Sequence, residues 1–269
     1  MATRIIAAIV GLGTLIPTLV WGGVLGLDIY VSIALLVCLD EYARMAFKDD
    51  VWPSFIWLVL ATAALWAVTL GLGTAHALTM MGVVVVGTFV FSVSRISHKE
   101  QLKGGADRVG RYILGLTWIS GLILFIPLIR RLDNGIWWLA ILMIVPWSSD
   151  TGGYFAGKAF GKHKMSPIIS PKKTWEGFVG GLALATTVML VYRHFTFETL
   201  TVADCLFLSL GLGAVGVVGD LAESLVKRTF EVKDSGWIMP GHGGLLDRID
   251  ALMFVAPLLY GYATLVKGV

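Results

Sequence analysis

Apolar runs of about 20 residues recur along almost the whole chain, and that length matches the hydrocarbon core of a bilayer. Hydropathy and chain breakers place nine spans near 5–26, 28–47, 54–72, 76–94, 112–130, 135–157, 175–193, 201–227 and 248–266. A backbone in lipid has no water to bond with, so only helices or a closed barrel can cross. The runs are continuous in Leu, Ala and Gly rather than alternating, which argues against a barrel. The expected fold is therefore all-α, a polytopic integral membrane protein. Composition agrees: 57% of the residues are hydrophobic and only 14% charged, against about 25% charged in a soluble domain. Lipid has to cover what charge does not.

The opening stretch MATRIIAAIVGLGTLIPTLVWGG is too long and continuous for a signal-peptide core and reads as the first span. Cys38 and Cys205 lie far apart in apolar surroundings, a spacing that suits neither a metal site nor a disulfide framework. They read as small buried side chains. No repeat or soluble domain is visible. The chain divides functionally into 1–145, a row of spans, and 146–269, where the polar motifs gather.

Orientation follows from Lys and Arg in the loops. With the N-terminus inside, 17 of the 21 basic residues fall on inner segments, leaving Arg130, Arg131, Arg193 and Lys267 outside. The expectation is N-in and C-out, in the cytoplasmic membrane. The long connections 95–111, 158–174 and 228–247 are then all cytoplasmic, where nucleotide triphosphates are found.

The eighth span, GLGAVGVVGDLAESLVKR, opens with Gly211, Gly213 and Gly216 in a GxGxxG spacing. Without a surrounding βαβ unit this is no dinucleotide fingerprint, and the glycines read as places of close helix approach. Asp220, Glu223, Ser224 and Lys227 follow at i, i+3, i+4 and i+7, one face of a helix. Ionisable groups facing lipid cost a few kcal/mol each, so this stripe faces the protein interior. It is either a set of internal ion pairs, Asp220 with Lys227 by way of Glu223, or a carboxylate that holds metal beside a cation that meets phosphate.

Beyond it lie Arg228, Lys233, Asp234, then His242, Gly243 and Gly244, then Asp247, Arg248 and Asp250. The glycines allow close backbone approach. An acidic residue at a helix start, as Asp247 is, suits the helix dipole on its own. The full set of cations and oxygen donors suits a polyphosphate carried by Mg²⁺, which usually takes one or two carboxylates plus phosphate oxygens and water. Asp150 lies within an otherwise apolar helix, four residues after Pro146. It is followed by a basic loop holding Lys158, Lys162, His163, Lys164, Lys172 and Lys173. Such a loop alone is also what a topology signal or an anionic-lipid surface looks like. Beside Asp150 it suits phosphate. No phosphate loop, HExxH zinc helix or GxSxG elbow is present.

On these residues the chain resembles the phosphatidate cytidylyltransferases, the CDP-diacylglycerol synthases. The family's C-terminal signature is matched by Ser224-Leu-Val-Lys227-Arg228, Lys233-Asp234 and His242-Gly243-Gly244-Leu-Leu-Asp247-Arg248-Ile-Asp250. Met239 stands where members more often carry Leu, Ile or Phe. The stretch from Ser149-Asp150 to Ser170-Pro171-Lys172-Lys173-Thr174-Trp175-Glu176-Gly177 is similar to the family as well. The resemblance implies that CTP and phosphatidic acid give CDP-diacylglycerol and pyrophosphate with Mg²⁺, a step of phospholipid synthesis. It places Asp220 and Asp247 on metal, with Asp150 and Asp250 as further ligands or their supports. Lys173, Lys227, Arg228, Lys233 and Arg248 would meet phosphates, and Ser224, His242, Gly243 and Gly244 complete the substrate site. The partners expected are CTP, phosphatidic acid and membrane lipid, with a homodimer among them and no nucleic acid. Two other readings are a CTP-dependent polyprenol or phytol kinase, which would release CDP, and a transporter.

Overall fold

The computed structural model describes residues 2–238 and 243–269. Helices make up nearly all of it: α1 (Ala2–Trp21), α2 (Gly23–Ala46), α3 (Val51–Leu72), α4 (Ala77–Ser94), α5 (Gly105–Leu114), α6 (Phe125–Arg130) and α7 (Gly135–Phe160). Two short strands follow, β1 (Lys164–Ser166) and β2 (Ser170–Thr174), then α8 (Trp175–Phe195), α9 (Val202–Thr229) and α10 (Leu246–Gly261). Seven helical stretches among the described residues are long and apolar enough to cross a membrane. Large apolar side chains such as Leu78, Phe89, Val179, Val191, Phe207 and Leu225 are left uncovered by protein, as a lipid-facing surface requires. The chain is an integral membrane protein.

The expected count was nine spans. The two outside the seven are α1 and α7, helices of 20 and 26 residues. In α7 the run Ser148-Ser149-Asp150-Thr151 interrupts the apolar stretch. The break between the first two helices falls at Gly22 rather than near residue 27, and Gly23 turns the chain with φ of 61°. Both cysteines are fully buried and neither is in a disulfide.

The residues pack as two compact units, Ile29–Leu124 and Met1–Asp28 with Phe125–Val269. That division follows packing, whereas the boundary at 145/146 follows the polar motifs. In the unit 29–124, polar side chains satisfy one another away from water. Ser54 Oγ lies 2.7 Å from Tyr112 Oη, and Thr62 Oγ1 lies 2.6 Å from Ser120 Oγ. A π-helical turn at Gly115–Gly121 continues α5. A Cβ on Gly115 would stand 2.6 Å from the Tyr42 ring, so the glycine makes room for that buried tyrosine.

In the other unit α7 and α8 run closely together. A Cβ on Gly181 would lie 2.5 Å from the Ser149 carbonyl oxygen, and one on Gly152 would lie 2.6 Å from the Gly180 carbonyl oxygen. Small residues of this kind let membrane helices touch through their backbones. Helix α9 begins with a capping box: Thr201 accepts from Asp204 N, and Asp204 accepts from Thr201 N. Asp204 also accepts from Tyr262 Oη and, at 2.8 Å, from Lys267 Nζ, which ties the end of the chain to the start of α9. Sixteen residues separate Asp204 from Asp220, roughly 24 Å of helix. The polar signature therefore lies at the opposite end of α9.

Candidate active site

Three structural pieces meet at that end. The first is the stripe on α9. Its residues share one face as their spacing requires, but they pair differently from the internal chain Asp220–Glu223–Lys227. Asp220 Oδ2 receives Lys173 Nζ from β2 at 2.7 Å, and the same ammonium lies 3.3 Å from the Val217 carbonyl oxygen. Ser224 Oγ reaches Asp220 Oδ1 at a long 3.4 Å, so that oxygen keeps acceptor capacity. The Asp220 side chain is 36% exposed.

The second piece is a buried knot around Lys227, which sits between Glu223 Oε2 at 3.2 Å and Asp247 Oδ1 at 2.5 Å. Asp247 Oδ2 accepts from Ser235 N at 2.9 Å, Ser235 Oγ at 3.0 Å and Gly244 N at 2.8 Å. Asp247 thus joins α9, the segment after it and the first turn of α10. Glu223 is 1% exposed, and its Oε1 has no hydrogen-bond partner among the described residues. An orphaned carboxylate oxygen at this depth is costly unless a proton or cation serves it.

The third piece is the acidic floor. Asp150 on α7 lies within electrostatic range of Lys173, Asp220 and Arg248. Asp250 on α10 lies within range of Asp220, Asp150 and Glu223. The approach of α10 to α9 depends on Gly219, whose added Cβ would fall 2.9 Å from the Asp250 carbonyl oxygen and 3.1 Å from Phe254 Cβ. Gly219 immediately precedes Asp220, so the close crossing is what brings the two aspartates together. Of the GxGxxG glycines, Gly213 faces Leu182 and Gly216 faces Ala251 and Val255, while Gly211 has open space around it.

Arg228 and Lys233 are exposed, with Arg228 Nη1 donating to the Val232 carbonyl at 3.1 Å. Gly243 has φ of 82°, and a Cβ there would stand 2.6 Å from Asp247 Oδ2. His242 and Met239 lie outside the described residues. Ser235 is not among the residues the sequence marks, and Glu223 figures there only as the link between Asp220 and Lys227 in the ion-pair alternative. Glu223 stood in the i, i+3, i+4 stripe and was open to notice, whereas nothing in the spacing marks Ser235 as a partner of Asp247.

Among the described residues no three His, Cys, Asp or Glu side chains converge into a preformed metal cage. The donors present fit Mg²⁺ all the same, because that ion usually keeps water and phosphate oxygens and takes only one or two carboxylates. Asp220 offers a partly open oxygen, Asp150 and Asp250 stand near it, and lysines border the set.

Carboxylates gathered beside lysines at one end of a helical bundle are an arrangement suited to phosphate chemistry, on a chain that is an integral membrane enzyme. The chain belongs to the Cytidylyltransferase family, which it matches over residues 2–266. It is 34% identical over 267 residues to the phosphatidate cytidylyltransferase of Staphylococcus aureus (strain COL), covering 96% of this chain and 97% of that one. It is 33% identical over 267 residues to the phosphatidate cytidylyltransferase of Staphylococcus haemolyticus (strain JCSC1435), with the same coverage. To that of Bacillus subtilis (strain 168) it is 42% identical over 155 residues, 57% of this chain and 58% of the other.

Proposed function

We propose that the protein is a CTP:phosphatidate cytidylyltransferase, working at the cytoplasmic face of the membrane in phospholipid synthesis. The observation that carries this reading is the meeting of the two motif regions at one place: Lys173 on β2 pairs with Asp220 on α9 at 2.7 Å. The relatives' activity and the distribution of basic residues over the loops support the substrates and the orientation.

The nucleophile is a phosphate oxygen of phosphatidic acid, already anionic, so no protein base is needed. It forms a bond to the α-phosphorus of CTP while the bond to the β-phosphate oxygen breaks, and pyrophosphate leaves with that electron pair. Such a transfer needs alignment and charge neutralisation more than covalent help. Lys173, with Arg248 and the exposed Arg228 and Lys233, supplies positive charge to the phosphates. Lys227, fixed between Glu223 and Asp247, holds the loop and helix ends that frame the site. Asp220, with Asp150 and Asp250, would hold Mg²⁺, which when bound neutralises and orients the polyphosphate; Asp247, whose Oδ1 is occupied by Lys227 and whose Oδ2 takes three donors, would join them only by exchanging that lysine for the ion. Ser224 steadies Asp220.

Incubating purified protein with CTP, phosphatidic acid and Mg²⁺ tests the proposal. Pyrophosphate should appear in proportion to CDP-lipid, and chelation of the metal should stop both. Release of CDP with a newly phosphorylated lipid would overturn the reading in favour of a lipid kinase.

A further inference from the structure

We infer that Glu176 is a positioning residue for this reaction: its carboxylate locks the root of the β1–β2 hairpin so that the hairpin delivers Lys173 to Asp220. The inference rests on the functional reading above. Glu176 lies in the first turn of α8 and reaches back across the hairpin's entry. It accepts from Lys162 N at 3.1 Å and from His163 N at 3.2 Å, and His163 Nδ1 lies 2.6 Å from its Oε1. Trp175 N donates to the His163 carbonyl at 3.0 Å, and the strand pairing begins at the next residue, Lys164 opposite Thr174. One carboxylate therefore gathers both ends of the connection between α7 and α8.

The hairpin's own ladder orders it weakly, and its contacts with the helices among the described residues come from the β2 end, at Lys173 and Thr174. Its register has two partner pairs, Lys164 with Thr174 and Ser166 with Ser170, with an irregularity between them. Pro171 within β2 has no N–H to donate, and isolated two-stranded hairpins are marginal in water. Its tip residue Ile168 is 92% exposed. The reach of Lys173 depends on where this strand is held, because the residue next to it, Thr174, is the cap of α8 and accepts from Gly177 N at 3.2 Å. Loss of the Glu176 clamp frees the entering strand at residues 162 and 163 and loosens the lysine's aim.

A simpler role for Glu176 is an acidic residue favouring the positive end of α8. The two roles respond oppositely to substitution. Glu176→Asp keeps the charge at the helix start but falls short of the 162 and 163 amides. Glu176→Gln keeps the length and an acceptor oxygen but loses the charge. Hydrogen exchange of amides 162–175 should accelerate in Glu176→Asp and change less in Glu176→Gln. kcat/KM for CTP should fall about 10- to 100-fold in the Asp variant, in line with the cost of small misplacements, with a smaller fall in the Gln variant. Glu176→Asp combined with Lys173→Met should be no worse than Lys173→Met alone. Faster exchange in the Gln variant than in the Asp variant, or fully additive losses in the double variant, would overturn the clamp. Because exchange reads the hairpin without turnover, failure of the clamp is separable from failure of the proposed reaction, which the wild-type products report.

Discussion

Replacing Asp247 with Asn takes one negative charge from a point where four donors among the described residues converge. Three of them, Ser235 N, Ser235 Oγ and Gly244 N, share Oδ2, while Lys227 Nζ meets Oδ1 at 2.5 Å. An amide has one acceptor oxygen and two N–H donors, so it must turn its NH₂ toward either the lysine or the loop. Lys227 is 11% exposed and Asp247 5%, and breaking a buried pair from one side costs about 3–5 kcal/mol. Glu223 remains 3.2 Å from the lysine, which moves the expected loss to about 3 kcal/mol, or about 100-fold in the folded ratio. Melting in detergent should fall on the order of 5–10 °C, and turnover should be lost. The decisive measurement is a double-mutant cycle with Lys227→Met. Direct partners should show a coupling of at least about 1–2 kcal/mol, whereas independent sites add to within about 0.5 kcal/mol. Additivity at that level, or a folded Asp247→Asn protein with normal specific activity, would refute the anchoring argument.

Asp220→Asn should behave differently, because its pair with Lys173 is partly open to solvent, with the side chains 36% and 20% exposed. Its melting temperature should shift by the equivalent of less than about 1 kcal/mol, while turnover and the response to Mg²⁺ disappear; normal activity would remove it from the site. Gly243→Ala adds a Cβ where Asp247 Oδ2 already stands and at a φ of 82°. Positive φ alone costs about 1–2 kcal/mol, and displacement of the carboxylate should lower turnover further than that loss of stability explains. Single cysteines placed in 95–111, 158–174 and 228–247 should resist impermeant thiol reagents added to intact cells. Ready labelling of 158–174 from outside would reverse the proposed orientation.

The helical class was legible because a bilayer leaves the backbone so few choices, and long apolar runs announce it. Helix ends were less so: the turn at Gly22–Gly23 sits within a run that hydropathy alone continues. The β1–β2 hairpin shows in the sequence only as a basic loop, since strands of three and five residues with Pro171 inside carry no alternating pattern. At the site, spacing placed Asp220, Glu223, Ser224 and Lys227 on one face, because helix periodicity is local. It gave no means of choosing partners. Lys173 and Asp220 are 47 positions apart, and their meeting depends on how α7, α8 and α9 pack. Asp247 and Asp250, neighbours on one turn, divide between the Lys227 knot and the acidic floor for the same reason.

Helix α7 also bears on how the protein is made. Its centre carries Ser148, Ser149, Asp150 and Thr151, and it is not among the seven stretches apolar enough to cross unaided. A carboxylate at the middle of a lone helix costs about 2.5–3.5 kcal/mol on insertion scales. Its partner α8 follows after only residues 161–174, and the two interlock through Gly152 and Gly181. A nascent chain paused before α8 therefore holds a segment poorly suited to lipid, and the arrival of α8 gives that segment a protein surface on which to settle. Entry of Asp150 is in this sense expected to be a two-helix event, the carboxylate going into the membrane in company.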